Sequence, residues 1–308
     1  MSQPDCQALL ARLNEAVIGK PEPIRLVVAA LLAGGHVLLE DVPGVGKTLL
    51  ARTLAGALGG DWKRVQCSPD LLPGDITGVN VFHPGSGEFR FVPGPLFAHV
   101  VLVDEVNRAS PRTQASLLEA MEEGHVTLEG VTRDLPRPFL VIATQNPVEH
   151  HGTFPLPEAQ LDRFALAVSL GYPTPAEELR LLQREAAPAP LAEPPVPLLA
   201  PDRLLAWQAD VRGVTLDESL QRWIVEVAAR SRQPGQAALG ISPRGSLVWQ
   251  RVAQALAWLD GRGFVTPDDV VRAAGPVLAH RLVLAGRQGS AARRERVESL
   301  LRELALPD

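Results

Sequence analysis

The sequence predicts an α/β protein that carries a smaller, all-helical domain at its C-terminal end. Short apolar runs that end in polar residues alternate with helical patterns over residues 1–172, which is typical of a parallel sheet between helices. A glycine-rich turn joins the first of these runs, His36 to Leu39, directly to a helix. Beyond residue 201 the pattern of apolar residues is helical throughout.

Composition and charge exclude several classes of protein. With 308 residues, of which 46% are hydrophobic and 21% charged, the chain can bury the cores of two domains and is neither disordered nor fibrous. The net charge of −5 argues against a general electrostatic attraction to nucleic acid. Cys6 and Cys67 lie too far apart to indicate a zinc site or a disulfide framework. Neither a signal-peptide core nor a membrane-length apolar run is evident, so we expect a cytoplasmic protein.

The glycine-rich turn has the sequence EDVPGVGKT, ending at Thr48, and the layout of a nucleoside-triphosphate phosphate loop. Gly44 and Gly46 allow backbone N–H groups to turn inward around phosphate oxygens, and the following helix N-terminus adds its positive dipole end. Lys47 is placed to reach the β- and γ-phosphates, and the Thr48 hydroxyl to bind Mg²⁺. The alternative is an ordinary glycine-rich turn between a strand and a helix.

Two further apolar runs end in polar residues suited to phosphate chemistry. Asp104 and Glu105 follow the apolar run 100–103, and Asn146 follows the run 138–144. Because the carboxyl ends of parallel strands meet at one edge of a sheet, we expect these side chains beside the glycine loop. There Asp104 is suited to hold Mg²⁺, Glu105 to orient the attacking water and Asn146 to hydrogen-bond the γ-phosphate. A solvated acidic pair at a strand end and an Asn-Pro turn are the alternative interpretations.

Two β-hairpins are predicted within the α/β domain. Alternating apolar residues flank a glycine turn over residues 79–91, and a similar pattern covers residues 126–132. The first hairpin either contacts a partner or is a surface hairpin without a binding role.

Two arginines near these motifs each have two interpretations. Arg163, which precedes the last apolar run at 165–170, is either a salt-bridged structural arginine or a finger that reaches the triphosphate of a neighbouring subunit. Arg108, just after the two acids, is either an ion-pairing residue or a second contact near the neighbouring nucleotide.

The chain divides into an α/β domain over residues 1–172, a proline-rich connection over 173–201 and a helical domain over 202–308. The helical patterns of the last domain cover residues 204–211, 216–230, 243–259 and 267–284. In the third of them, Ser242 is the expected N-cap and Arg244 lies in the first turn. The tryptophans of this domain are expected in its core: Trp207, Trp223, Trp249 and Trp258.

These motifs follow the order found in AAA+ ATPases, and the chain most closely resembles the MoxR family, from about residue 7 to residue 305. The stretches that carry the resemblance are residues 40–48, 69–78 (PDLLPGDITG), 104–109 (DEVNRA), 143–147 (ATQNP) and 156–164 (LPEAQLDRF). By position, the resemblance implies these catalytic and metal residues: Lys47 and Thr48 of Walker A, Asp104 and Glu105 of Walker B, Asn146 of sensor 1, the finger Arg163 and the sensor 2 arginine Arg244. It implies a nucleotide-binding set that begins beside adenine: Val17, Ile18, Gly19, Pro43, Gly44, Val45, Gly46, Lys47, Thr48 and Leu49.

The resemblance also implies a fold and a mechanism. The fold is an AAA+ core with a parallel five-stranded sheet, inserted β-hairpins and a helical lid. ATP and Mg²⁺ are then expected between core and lid. The next subunit of a ring, expected to be a hexamer, donates Arg163, and the lid closes over the nucleotide through Arg244. Such ATPases act as chaperones on client protein complexes, together with a von Willebrand factor A-domain partner, and their hairpins point toward the ring's pore.

Two other functions remain open at this point. One is a ring motor or loader that acts on nucleic acid, as related AAA+ proteins do. The other is a scaffold that binds ATP but hydrolyses it negligibly. Asp41 motivates the scaffold, because an acid stands where the strict phosphate-loop pattern has glycine and would repel the phosphates.

Overall fold

The computed structural model describes residues 4–42, 44–146, 153–186, 197–286 and 289–307. Its centre is a five-stranded sheet in the order β2-β5-β8-β1-β9, in which every neighbouring pair is parallel. The strands are β1 (His36–Glu40), β2 (Trp62–Gln66), β5 (Val100–Asp104), β8 (Leu140–Gln145) and β9 (Phe164–Val168). The predicted α/β fold with a parallel five-stranded sheet is therefore confirmed.

Strands β5 and β9 are buried on both faces, which explains why they are apolar runs without alternation, whereas on β2 only Val65 is buried. Successive residues face opposite sides: Val37 and Leu39 pack into one cluster, and Leu38 packs into the other. The helices of the core are α1 (Pro4–Ala16), α2 (Pro21–Leu32), α3 (Lys47–Ala57) and α5 (Pro111–Glu123). The Ser110 hydroxyl caps α5 by accepting the Thr113 N–H.

Both predicted hairpins form outside the central sheet. The first pairs β3 (Gly78–His83) with β4 (Glu88–Pro93), and the second pairs β6 (His125–Leu128) with β7 (Val131–Asp134). Asn80 Nδ2 donates to Glu129 Oε2 at 2.7 Å, and the Arg133 guanidinium lies 4.1 Å from the Phe91 ring centroid. These two contacts join the hairpins to each other. The short helix α4 (Pro73–Thr77) before the first hairpin is a feature that the sequence pattern did not predict.

The C-terminal part is helical, as expected. Its elements and those that lead to it are α6 (Glu158–Leu161), α7 (Pro175–Ala186), α8 (Pro201–Arg212), α9 (Glu218–Ser231), α10 (Pro243–Leu259), α11 (Pro267–Leu278) and α12 (Ser290–Arg302). The helix predicted over 267–284 is wrong at its end, because α11 stops at Leu278 and a 3-10 turn follows. In that turn His280 and Arg281 bond to the Phe164 carbonyl of β9, which takes the chain out of the helix direction. Helix α12 was not predicted.

The helical part packs on the core through a continuous apolar cluster. The four tryptophans are buried, as predicted, and Trp249 Nε1 donates to the Val270 carbonyl at 2.7 Å. The cluster continues from them into α2 and one face of β9. The helical part is therefore held against the edge of the sheet that β9 forms. No helix among the described residues is long and apolar enough to cross a membrane.

Candidate active site

A cavity of about 330 Å³ opens at the carboxyl ends of β1, β5 and β8. Its lining consists of Asp41, Gly44, Gly46, Lys47, Thr48, Leu49, Arg64, Gln66, Asp104, Glu105, Thr144 and Asn146. The predicted residues of Walker A, Walker B and sensor 1 thus meet in one place. They do so because each follows the carboxyl end of a strand in the same parallel sheet.

The glycine loop has the backbone that binding a phosphate requires. Gly44 and Gly46 have φ values of +85° and +94°, in the left-handed region that favours glycine. A Cβ at Gly44 would meet nothing within 4 Å, so the space above the loop is open. Helix α3 begins at Lys47, whose Nζ donates to the carbonyls of Asp41 and Val42, each at 3.2 Å.

Four described members of the predicted nucleotide-binding set do not line this cavity: Val17, Ile18, Gly19 and Val45. Pro43 lies outside the described residues, and Val45 is buried beneath the loop. Val17 is near the loop, because its Cγ1 would lie 3.5 Å from a Cβ placed on Gly46. Gly19 has a φ of +77° and faces the Glu177 carboxylate at the start of α7. The segment around Ile18 therefore lies between the glycine loop and α7.

The Asp41 carboxylate is hydrogen-bonded to the residues that follow β9. It accepts hydrogen bonds from Ser169 Oγ at 2.8 Å, from the Leu170 N–H at 2.6 Å and from the Gly171 N–H at 3.0 Å. Asp41 is only 4% exposed. It anchors the glycine loop to the segment after β9, and three donors offset its charge, which weakens the motivation for a scaffold that hydrolyses ATP negligibly.

The two acids at the end of β5, Asp104 and Glu105, have polar partners that the sequence analysis missed. Arg64 Nε donates to Asp104 Oδ2 at 2.7 Å, and Gln66 Nε2 donates to Glu105 Oε2 at 3.1 Å. Arg64 and Gln66 alternate with the buried Val65 on β2, and this alternation is the signal that would have placed both on the face beside the acids. Arg108 Nη1 also donates to Glu105 Oε2 at 3.1 Å, so Arg108 is an ion-pairing residue within the chain.

Thr144, on β8, connects the two acids. Its hydroxyl lies 3.3 Å from Asp104 Oδ1 and accepts the Glu105 N–H at 2.9 Å. Glu105 has a φ of +56°, an uncommon backbone conformation for a residue other than glycine. The Thr144 contact holds this conformation.

Arg163 and Arg244 lie together at the amino ends of the strands, on the side of the sheet opposite the first cavity. Arg163 Nε is 2.9 Å from Glu122 Oε2, and Arg244 Nη1 is 2.6 Å from Glu122 Oε1. With Gly35 and His36, which lie at the amino end of β1, they line a second cavity of about 240 Å³. The glycine loop follows the carboxyl end of β1, so within this chain the arginines lie at the other end of the strand.

In this structure the lid therefore does not place Arg244 over the nucleotide site of its own chain, and the expected closure through Arg244 stays a prediction. The N-cap Ser242 donates to Asp162 Oδ2 at 2.8 Å, and Arg281 Nε donates to Asp162 Oδ1 at 2.7 Å. These bonds fix the first turn of α10 beside Arg163, at the start of β9. Among the described residues that line the first cavity, none lies beyond residue 146.

Comparisons with known proteins agree with this geometry. Residues 36–166 match the model of the ATPase family associated with various cellular activities (AAA), and residues 229–304 match an AAA lid domain. The chain is 48% identical to the uncharacterized protein YeaC of Bacillus subtilis, over 92% of this chain and 89% of YeaC. It is 42% identical to Chaperone MoxR1 of Mycobacterium tuberculosis, over 88% of this chain and 74% of MoxR1. The chain belongs to the MoxR family of AAA+ ATPases.

A solved structure supports the same assignment for the MoxR-family fold. The crystal structure of a candidate ATPase from Cytophaga hutchinsonii superposes with a TM-score of 0.90 at 34% identity, over 99% of this chain and 95% of that one. As a MoxR-family member with an AAA+ core and a helical lid, the protein is an ATPase.

The first cavity of this MoxR-family ATPase fits a nucleoside triphosphate with a divalent cation. Open space above Gly44 leaves room for phosphates, and the N-terminus of α3 faces the same space. The Thr48 hydroxyl and the Asp104 carboxylate line the cavity together, and oxygen donors of this kind suit Mg²⁺.

Proposed function

We propose that this ATPase hydrolyses Mg²⁺·ATP at sites shared between neighbouring subunits of a ring, and that the ring is a hexamer. The observation that carries the proposal is that Arg163 and Arg244 lie at the amino ends of the strands, whereas Lys47 lies beyond the carboxyl end of β1. Copies arranged head to tail bring the arginines of one subunit to the glycine loop of the next, and repetition of this contact closes a ring.

Within one subunit, the residues around the first cavity hold the substrate and the attacking water. Bound Mg²⁺ supplies positive charge beside the phosphates. Lys47 and the loop N–H groups bind the β- and γ-phosphates, while Thr48 and Asp104 hold the metal, in part through its water shell. Glu105 orients the attacking water, and Asn146 hydrogen-bonds the γ-phosphate.

The neighbouring subunit completes the site in this proposal. Arg163 stabilises the charge that develops on the transferred phosphoryl group, as an arginine finger does. Arg244 approaches the same phosphates from the lid of the same neighbouring subunit, because Glu122 holds the two guanidinium groups side by side. The adenine lies beside Val17, Ile18 and Gly19 of the subunit that provides the glycine loop.

We also propose that hydrolysis drives the remodelling of client protein complexes, with a von Willebrand factor A-domain protein as partner. The name of Chaperone MoxR1 supports a chaperone role. The first hairpin exposes Phe82 by 50% and Phe89 by 70%, which suits contact with an apolar segment of a client. The net charge of −5 and this apolar hairpin favour a protein client over nucleic acid. A cytoplasmic location, where ATP is supplied, belongs to the same proposal.

The test is ATP turnover against protein concentration for the wild type and for Arg163→Ala, with particle size measured in parallel. We expect turnover per subunit to rise as rings assemble, and Arg163→Ala to lower it by about 10³-fold while ATP still binds. Arg222→Ala, which removes an exposed arginine of α9, is the matched control and should behave like the wild type. Turnover that is independent of concentration and indifferent to Arg163 would contradict the shared site.

A further inference from the structure

Arg64 contacts the acid that the proposed function assigns to Mg²⁺. It lies on β2, lines the first cavity and donates from Nε to Asp104 Oδ2 at 2.7 Å. The Asp104 side chain is 9% exposed, whereas that of Arg64 is 49% exposed. A nearly buried carboxylate thus has its counter-ion on a side chain that is free to move toward solvent or toward a ligand in the cavity.

The same guanidinium also orients Gln66. Arg64 Nη2 donates to Gln66 Oε1 at 3.2 Å, and Gln66 Nε2 donates to Glu105 Oε2 at 3.1 Å. Arg64 can only donate and the Glu105 carboxylate can only accept, so the amide of Gln66 has one orientation that satisfies both. A continuous chain of hydrogen bonds therefore joins the two acids through Arg64 and Gln66.

Mg²⁺ and Arg64 would compete for the charge of the Asp104 carboxylate, whose Oδ2 binds Arg64 and whose Oδ1 lies beside the Thr144 hydroxyl. Without a cation beside it, the nearly buried Asp104 carboxylate would be costly and would repel the phosphates. With Mg²⁺ in place, two cations would share one carboxylate, and their mutual repulsion disfavours keeping both. Movement of Arg64 away from Asp104 would also release the Gln66 carbonyl, and with it the orientation of the amide that holds Glu105.

We propose that Arg64 is the counter-ion of Asp104 in the metal-free site, and that Arg64 leaves Asp104 when Mg²⁺ joins the bound nucleotide. The inference rests on the proposed function, because it takes Asp104 as a Mg²⁺ ligand. Arg64 is then a positioning residue. When the metal binds, the loss of the contact between Arg64 and Gln66 changes how Gln66 holds Glu105. Arg64 allows nucleotide to bind before the metal does, since Asp104 stays neutralised until Mg²⁺ arrives.

The experiment measures the dissociation constant of a fluorescent ADP analogue, once with saturating Mg²⁺ and once with EDTA. The variants are Arg64→Gln and, as matched control, Lys63→Gln, which removes an exposed cation from the preceding position of β2. We expect Arg64→Gln to weaken binding in EDTA by about tenfold and to change binding with Mg²⁺ by less than about twofold. The coupling between metal and nucleotide, which is the ratio of the two dissociation constants, should then rise about tenfold. Lys63→Gln should match the wild type in both conditions.

The Asp104→Asn background separates the counter-ion role from direct contact with the nucleotide. There, Arg64→Gln should weaken binding in EDTA by about twofold or less, because no charge remains to be neutralised. An undiminished effect in that background, or equal coupling in Arg64→Gln and the wild type, would overturn the proposal. Failure of the wild type to bind the analogue at all would instead contradict the nucleotide site itself.

Discussion

Arg244 Nη1 donates to Glu122 Oε1 across 2.6 Å, which joins the first turn of α10 in the lid to the last turn of α5 in the core. The other oxygen of this carboxylate binds Arg163. Two arginines from distant parts of the sequence therefore act as one cationic pair. In the proposed ring they reach the phosphates of the next subunit together or not at all.

The first prediction tests whether the two arginines work from the same subunit. Arg163→Ala and Arg244→Ala are purified separately, mixed in equal amounts and assayed for ATP turnover. We expect no recovery, because every interface in a mixed ring lacks one arginine or the other. Each variant measured alone at the same total concentration is the control. Recovery in the mixture would mean that Arg244 serves the nucleotide of its own subunit.

The second prediction concerns Asp41, whose carboxylate accepts two backbone N–H groups and the Ser169 hydroxyl. Asp41→Gly restores the strict phosphate-loop pattern, yet we expect it to lower the free energy of unfolding by about 3 kcal/mol, because buried donors lose their acceptor. Asp41→Asn keeps one oxygen and should lose less. Urea denaturation measures both, and ATP turnover should not rise in either variant. A stable Asp41→Gly variant with faster turnover would restore the view that Asp41 repels the phosphates.

The third prediction concerns the buried ion pair that fixes the lid. Arg281 is 3% exposed, and burial lowers its pKa to about 10 although Asp162 favours the charged form. Asp162→Asn leaves this guanidinium without a carboxylate and should cost about 3 kcal/mol of unfolding free energy. Glu218→Gln breaks an exposed pair on α9 and should cost less than about 0.5 kcal/mol. Equal losses in the two variants would show that Asp162 does not hold the lid.

Much of this site was predictable because its signals are local. The glycine loop, the Asp104-Glu105 strand end and Asn146 each follow an apolar run, and a parallel sheet must bring such ends together. The hairpins were predictable for the same reason, from alternation around glycine turns.

What the sequence did not predict depends on partners far along the chain. The groups that donate to Asp41 follow it by 128 to 130 positions, and Arg64 meets Asp104 40 positions later. Arg244 was assigned correctly to the start of a helix, but its neighbour Glu122 lies on another domain. Helix α12 escaped prediction because its sequence is highly polar and only Val297 and Leu300 are buried.

The fourth prediction is a pH dependence of stability that arises from His36. This side chain is buried, with Nε2 donating to the Met121 carbonyl and Nδ1 accepting the Val141 N–H, and burial lowers its pKa from 6.5 to about 4. The unfolded chain takes up a proton near pH 6.5 and the folded chain does not, so the stability that neutral His36 provides is complete above pH 6.5 and falls as the pH drops toward 4.

Unfolding free energies of the wild type and His36→Gln at several pH values measure this effect. Between about pH 7 and pH 5 the wild type should lose about 2 kcal/mol more than His36→Gln. Burial also lowers the pKa of His280, so both proteins lose some stability in acid, and the difference between them isolates His36. Parallel pH curves would contradict the neutral, buried state of His36.

The central claim, a site completed by the neighbouring subunit, is tested most directly by mixing Glu105→Gln with the double variant Arg163→Ala/Arg244→Ala. Each is expected to be inactive alone, with size measurements confirming that both assemble. In the mixture, the intact Glu105 of one parent meets the intact arginines of the other at up to about a quarter of the interfaces, so turnover should recover to that fraction of the wild type. Mixed rings that stay as inactive as their separate parents would contradict the shared site.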